Sequence, residues 1–340
     1  MKRHRIVIAG CGNMARTWAE YALARQDAEI VGLADKFPAS AEAFAQKFGL
    51  TCPTFTDVGE ALRATGATLM FDVAVPDSRR DVVTAALAAG CDVMAEKPLG
   101  ATMEQARDIV AAADRSGRFC AIMQNRRYDK RIRALRDVIA SGRAGEIGFA
   151  CADFFLGPHF GGFREAMDSP LLLDMAIHTF DQARFMLGKD PIAVTAHEWN
   201  PPGSWYNGNA SAVCLFEYAD GTVFSYRGSW CAEGAPTSWE SSWRLVGSRG
   251  TVLWDGHGAP TYEVAIADAE PAFLRRTERF TAELDWEGRE GHAGCLDEMF
   301  AALQEGRRAE TDCRDNIRSL AMVHGALRSA KEGRKVAIEF

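Results

Sequence analysis

Residues 171–181 read Leu-Leu-Leu-Asp-Met-Ala-Ile-His-Thr-Phe-Asp, an apolar segment broken by two carboxylates and an imidazole. The spacing predicts a helix over 171–187 in which Asp174, His178 and Asp181, at i, i+4 and i+7, share one face. Charged groups buried in an apolar helix cost free energy unless they are paired. Such a stripe is either a hydrogen-bonded core network or part of a reaction centre. An imidazole titrates near neutrality and can carry a proton to or from a hydroxyl. Asp174, one turn away, can steady it or bind substrate, and Asp181 either orients His178 or caps the stripe. Asp174 and His178 could instead ligate a metal with His159. No other ligand cluster has metal-site spacing, so no metal is expected.

Two further motifs bear on chemistry. Glu96 and Lys97, in Ala-Glu-Lys-Pro-Leu-Gly, end an apolar strand. Parallel sheets bind ligands beyond the carboxyl ends of their strands, and Pro98 restricts Lys97 to extended backbone. Gly10-Cys11-Gly12-Asn13-Met14-Ala15 is a G-x-G-x-x-A dinucleotide turn between a strand and a helix. Gly10 permits the tight turn, Gly12 lets a pyrophosphate approach the backbone, and Ala15 lets helix and strand pack closely. Asp35 closes the next strand ~20 residues on, where a carboxylate binds a ribose 2′-OH. It repels a 2′-phosphate, so NAD is the expected cofactor. Lys36 softens that repulsion and keeps NADP as the alternative.

Strand-like runs at 5–10, 28–35, 69–75, 92–96 and 119–124 alternate with helical ones, and Thr102 and Gln105 have capping-box spacing. This predicts an α/β N-terminal Rossmann domain, residues 1–125, built on a parallel sheet. After residue 125 the pattern changes. Helices at 130–141 and 171–187 are followed by alternating segments, a hairpin signal at Tyr218–Thr222, and helices at 292–305 and 314–331. The second domain, 126–340, is therefore expected to be α+β with a large, mostly antiparallel open sheet.

The dinucleotide turn, Asp35, Val75-Pro76-Asp77-Ser78, Glu96–Gly100, the D-x-x-x-H helix of 171–188, the segments 127–147 and 247–252 and the closing helix 315–333 together resemble one family. It is the glucose–fructose oxidoreductase/inositol dehydrogenase family (Gfo/Idh/MocA), and the likeness runs along essentially the whole chain. It implies an NAD(P)-dependent oxidoreductase that moves a hydride between nicotinamide and a secondary hydroxyl or keto group of a sugar, cyclitol or derivative. It implies that Lys97, Asp174 and His178 surround the reacting carbon. His178 then moves the hydroxyl proton and Lys97 polarises the oxygen. Val75 and Pro76 flank the nicotinamide end, and Cys11, Asn13, Met14, Lys36 and Glu96 belong to the cofactor-binding set. The last helix, about 314–331, is implied to return to the first domain, and the open sheet face to form a homodimer or homotetramer contact.

Arg127, Tyr128, His159, Arg164 and Asn209 are candidates to hydrogen-bond substrate hydroxyls. Trp199, Trp205, Tyr206, Trp230, Trp239 and Trp243 crowd 199–243 and offer flat faces to sugar C–H groups, although sheet core accounts for most of them. The chain departs from the family pattern at Arg80, which stands where a His is usual, and at Ala176, which replaces a Gly. Arg79 and Arg80 read as a solvated helix face, Ser169 as a cap and Pro170 as a helix opener.

The bulk numbers exclude other classes. The 340 residues are 47% hydrophobic and carry a net charge of −7, which disfavours nucleic acid and anionic membrane as partners. No run approaches the ~20 apolar residues of a membrane span. The apolar run Ile6–Gly10 is too short for a secretion signal. Nine cysteines, an odd number without C-x-x-C, fit reduced thiols in a cytoplasmic protein. Two rivals remain: an NAD-dependent glycosidase or epimerase that oxidises transiently, and a non-catalytic nucleotide-binding regulator, against which Lys97 and His178 argue.

Overall fold

The computed structural model describes residues 3–267 and 273–340. The chain forms two units. One holds the residues up to Asn125 with His292–Leu320 and Phe340, the other Arg126–Gly291 with Ala321–Glu339.

In the first unit β1 (His4–Ala9), β2 (Ala28–Ala34), β3 (Thr54–Phe55), β4 (Leu69–Asp72), β5 (Asp92–Ala95) and β6 (Cys120–Ile122) form one parallel sheet, ordered β3-β2-β1-β4-β5-β6. Between them run α1 (Ala15–Leu23), α2 (Pro38–Phe48), α3 (Val58–Thr65), α4 (Pro76–Ala88) and α5 (Met103–Ser116). This is the doubly wound order of dinucleotide-binding sheets. The central strands read as apolar runs because both faces are covered. The forward half of the capping box at α5 forms, with the Thr102 hydroxyl accepting the Gln105 N–H at 3.2 Å, while the Gln105 side chain accepts the N–H of Ala101, one residue before the cap, at 3.0 Å. β3 and α3 are too short to leave a periodic signal and were not anticipated.

The second unit contains α6 (Lys130–Ala140), β7 (Ile147–Phe155), α7 (Ala176–Leu187), β8 (Pro191–Trp199), β9 (Ser211–Tyr218), β10 (Val223–Ser229), β11 (Ser242–Gly247), β12 (Gly250–Trp254), β13 (Thr261–Ala265) and β14 (Thr277–Thr281). With β15 (Val336–Ala337) these strands make a nine-stranded sheet, ordered β14-β13-β12-β11-β7-β10-β9-β8-β15. Only the β7–β10 pair is parallel. One face packs on α7, where Phe180 meets Phe216 and Tyr226 edge-on at 4.8 and 5.2 Å. The strand register puts Phe149, Val213, Leu215 and Val246 together on the other face, all exposed.

Two expectations are corrected. α8 (Gly291–Glu305) was placed in the second domain, yet from His292 onward it groups with the first unit. The cause is Phe300, whose buried ring meets His4, Tyr21 and Phe71 at 5.3, 5.7 and 6.1 Å. The residues of α9 (Cys313–Glu332) up to Leu320 also group with the first unit. Second, the helix expected over 171–187 opens with a π turn, Leu171–Met175, before α7. Asp174 lies in that π turn, and His178 and Asp181 lie in α7. Ser169 does not cap this helix; its hydroxyl donates to Glu198 at 3.0 Å.

Candidate active site

The dinucleotide turn is built by sterics. Gly10 has φ +87°, and an added Cβ would stand 2.7 Å from the backbone of Val73 and Ala74, so only glycine fits. Ala15 is buried where α1 meets the sheet. A Cβ on Gly12, by contrast, would meet nothing within 4 Å. The backbone there faces open space, as a pyrophosphate needs. No side chain caps α1, and its first turn holds no acidic residue, so the positive end of the helix dipole stays available to an anion. Asn13 and Met14 are exposed at this end. Burial and the nearby Asp35 carboxylate push the Cys11 thiol up to about 12, so it stays neutral beside the phosphate position.

Asp35 lies just past β2. Its Oδ2 accepts the Cys11 N–H at 2.8 Å and its Oδ1 the Phe37 N–H at 2.9 Å. The carboxylate is thus locked to the glycine turn, while each oxygen keeps a lone pair for a ribose hydroxyl. Lys36 is exposed beside it. These residues fit NAD.

The carboxyl ends of β4 and β5 are tied together by a residue misread in the sequence. Arg79 is not on a solvated face; it is 1% exposed. Its Nε donates to Asp72 Oδ2 at 2.7 Å and its Nη2 to the Ala74 carbonyl at 2.7 Å, and Nη1 donates to the Pro98 carbonyl. One guanidinium therefore fixes the loop leading to Val75 and Pro76 and the loop carrying Lys97. Burial raises the Asp72 carboxyl, and Arg79 opposes that shift. Arg80 is the solvated one, paired with Asp81. The clue lay in Asp72, a carboxylate ending an apolar strand, whose burial calls for a cation such as Arg79 at the start of the next helix. Val75 is exposed and extended at the start of α4, with Pro76 in the first turn.

Glu96 is buried. Its Oε1 accepts from the Trp18 indole at 2.9 Å and lies 3.7 Å from His292 Nε2, and its Oε2 accepts the Lys97 N–H at 3.1 Å. Its carboxylate thus holds the Lys97 backbone. Trp18 and His292 come from distant sequence and gave no motif.

In the second unit the polar stripe separates into unlike parts. Asp174, in the π turn, takes the Arg164 Nε–H on Oδ2 at 2.6 Å; the side chains are 17% and 34% exposed. His178 is buried on α7. Asp181 is sealed: Arg127 donates to both its oxygens, Nε at 2.6 Å and Nη2 at 2.7 Å, with side chains 5% and 2% exposed. Arg127 and Asp181 thus form a buried ion pair. Tyr128, the next residue, is enclosed as well. It is buried, with Arg133 4.7 Å over its ring and Trp286 at 6.4 Å.

His159 is exposed, 3.0 Å from Glu233 and stacked on Trp205 at 3.8 Å. Arg164 lies against two rings, Phe163 at 4.8 Å and Phe160 at 5.1 Å. A further polar group went unforeseen. Arg126 is 3.1 Å from Glu240 Oε1 and 3.9 Å from Met175 Sδ, and Gln182 donates to Glu240 Oε2 at 2.6 Å. Burial raises the Glu240 carboxyl and lowers the Arg126 guanidinium; Glu240 and Asp174 both counter the latter. Glu240 lies in a loop between strands, where no spacing rule applies. The structure thus places Lys97 in the first unit and Asp174, His178, His159 and Arg164 in the second.

Residues 4–124 match the family model described as oxidoreductase family, NAD-binding Rossmann fold, and residues 132–253 match the Gfo/Idh/MocA C-terminal domain. Inositol 2-dehydrogenase of Rhizobium meliloti is 26% identical over 361 residues, covering 98% of this chain and 99% of that one. D-apiose dehydrogenase of Paraburkholderia graminis is 27% identical over 353 residues, covering 100% and 91%. An oxidoreductase from Agrobacterium radiobacter, solved with NAD+, L-tartaric acid and magnesium, has the same fold at a TM-score of 0.84 and 22% identity, with 99% of each chain covered. With both of its domains matched, the chain belongs to the Gfo/Idh/MocA family of NAD-binding oxidoreductases.

Proposed function

We propose that this chain is an NAD-dependent dehydrogenase of a secondary hydroxyl on a sugar, cyclitol or derivative. The observation that carries the reading is the turn at Gly10–Ala15 with Asp35 locked onto it, which selects a dinucleotide with a free ribose 2′-OH. The inositol and apiose dehydrogenases among the relatives support a polyhydroxylated substrate. When bound, the nicotinamide supplies the hydride acceptor. The chain's own groups do the rest. His178 takes the hydroxyl proton as hydride leaves carbon. Lys97, its backbone held by Glu96 and its loop by Arg79, carries the cation that stabilises developing alkoxide. Asp174 is held by Arg164, so it serves as a hydrogen-bond acceptor and not as the base.

The proposed setting is a cytoplasmic homodimer or homotetramer. Support comes from the exposed Phe149, Val213, Leu215 and Val246 on the open sheet face, which suit a second copy of that face. Among the described residues no helix is long and apolar enough to cross a membrane.

The test is a panel of sugars and cyclitols with NAD, read at the reduced-nicotinamide band. Net NADH formation separates a dehydrogenase from an enzyme that oxidises transiently. His178→Asn and Lys97→Met should each lower turnover by ~10²–10⁴ at unchanged NAD affinity. Near-wild-type turnover in a well-folded His178→Asn protein would falsify the assignment.

A further inference from the structure

Around the Asp174–Arg164 pair stand three large aromatic side chains that the fold leaves in solvent: Phe163 is 68% exposed, Phe160 45% and Trp239 42%. They are neighbours. The Arg164 guanidinium lies against Phe163 and Phe160, and the Phe160 and Trp239 rings are 6.3 Å apart. Trp239 is also 5.7 Å from the Arg126 guanidinium. Behind them the layer is firm, because Phe160 meets the buried Trp230 edge-on at 5.3 Å and Trp230 stacks on Tyr206. Exposed aromatics on a rigid backing cost free energy in water unless something covers them.

We infer that Phe160, Phe163 and Trp239 form a platform for a second ring, so that the preferred substrate is a glycoside and not a free monosaccharide. This rests on the proposed dehydrogenase reading. If Asp174 serves the reacting ring, the platform begins one guanidinium further out, where the next ring of a glycoside lies. Aromatic faces bind the C–H face of a pyranose, and the flanking guanidinium and carboxylate groups hydrogen-bond its hydroxyls. The other occupant the surface admits is protein, namely a second copy of this chain, and the test includes it.

The assay measures kcat/KM with NAD for D-glucose, D-galactose and myo-inositol against phenyl β-D-glucopyranoside, cellobiose and lactose, on wild type, Phe163→Ala and Trp239→Ala. The expected result is a two-ring substrate used at least tenfold better than its single-ring parent, with that gain lost in both variants. Single-ring activity and melting temperature should stay within twofold and 2 °C of wild type, values set here as the criteria of the test. Equal use of one-ring and two-ring substrates overturns the inference, as does an equal loss on both. A lower molar mass of Phe163→Ala in light scattering also overturns it, because the ring then covers protein. If nothing in the panel is oxidised, the dehydrogenase reading fails by itself. Saturation-transfer NMR of phenyl β-D-glucopyranoside on the NAD-loaded protein then decides the platform: transfer that vanishes in Phe163→Ala supports it, and absent or unchanged transfer rejects it.

Discussion

Asp174 and Asp181 sit on one continuous helical segment, and each meets an arginine at 2.6 Å. They nevertheless do different work. Asp181 is enclosed, takes two parallel hydrogen bonds from Arg127 and lies 3.8 Å from Arg184. Asp174, in a π turn, meets the half-open Arg164, which lies against exposed aromatics. The helix repeat treats the two carboxylates alike; burial separates them. The sealed pair is shut off from water at 5% and 2% side-chain exposure, whereas the open pair keeps 34% and 17%.

The largest effect should come from breaking the sealed pair. Removing one partner leaves a buried charge uncompensated, at ~3–5 kcal/mol. Arg127→Met should therefore lower the melting temperature on the order of 10 °C, with turnover per folded molecule close to wild type. Scanning calorimetry and turnover on the same preparation check this. A protein that melts normally but has lost activity would move Arg127 back into the substrate site.

The open pair should show the reverse. Asp174→Asn keeps the shape, and a partly exposed ion pair contributes only ~0.2–1 kcal/mol. Melting should hardly move, while turnover should fall roughly tenfold to a hundredfold for loss of a charged acceptor at the reacting ring, near the low end of the acid–base range. If Asp174→Asn and Arg127→Met behave alike, the contrast between the two carboxylates fails.

The sequence exposed one side of this contrast better than the other. The glycine turn, Asp35 and the Thr102 cap were legible because each is a short-range rule: one backbone conformation, one strand end, one i→i+3 bond. The parallel sheet of the first unit followed from strand–helix alternation. Arg79 was misplaced because its partner Asp72 is fixed by tertiary packing, as are Asp181 beside Arg127 and Trp286 beside Tyr128, and a guanidinium looks the same in sequence whether it is solvated or sealed. Phe300 carried α8 into the first unit through contacts with residues more than two hundred positions away. The π turn had no signal at all in a run of three leucines.

A third carboxylate extends the comparison to the first unit. Asp35 is partnered by backbone N–H groups and no guanidinium. Its replacement should loosen the turn without unfolding the sheet. Asp35→Ser should weaken NAD about tenfold, near 1.4 kcal/mol, and narrow the gap to NADP. Titration of both cofactors into both proteins measures it. A wild-type preference for NADP would show that Lys36 outweighs the carboxylate.

The smallest effect concerns burial with no compensating charge. His324, on α9, has its pKa lowered by desolvation alone, whereas a guanidinium balances the burial of Asp181. The folded-state value lies below the unfolded one of about 6.5. Between the two, the unfolded chain binds the proton and the folded chain does not, so stability falls with decreasing pH. The contribution is complete above about pH 6.5 and is lost as pH drops through the folded value. His4, also lowered by burial, adds to the same slope in the other unit, so the wild-type curve alone does not isolate His324. The difference between wild type and His324→Gln does. Melting temperatures from pH 7.5 to pH 5 should fall more steeply in wild type than in the variant, since glutamine has no proton to take up. Parallel curves would mean that the folded protein accommodates the imidazolium at 324, and that burial there costs the charge nothing.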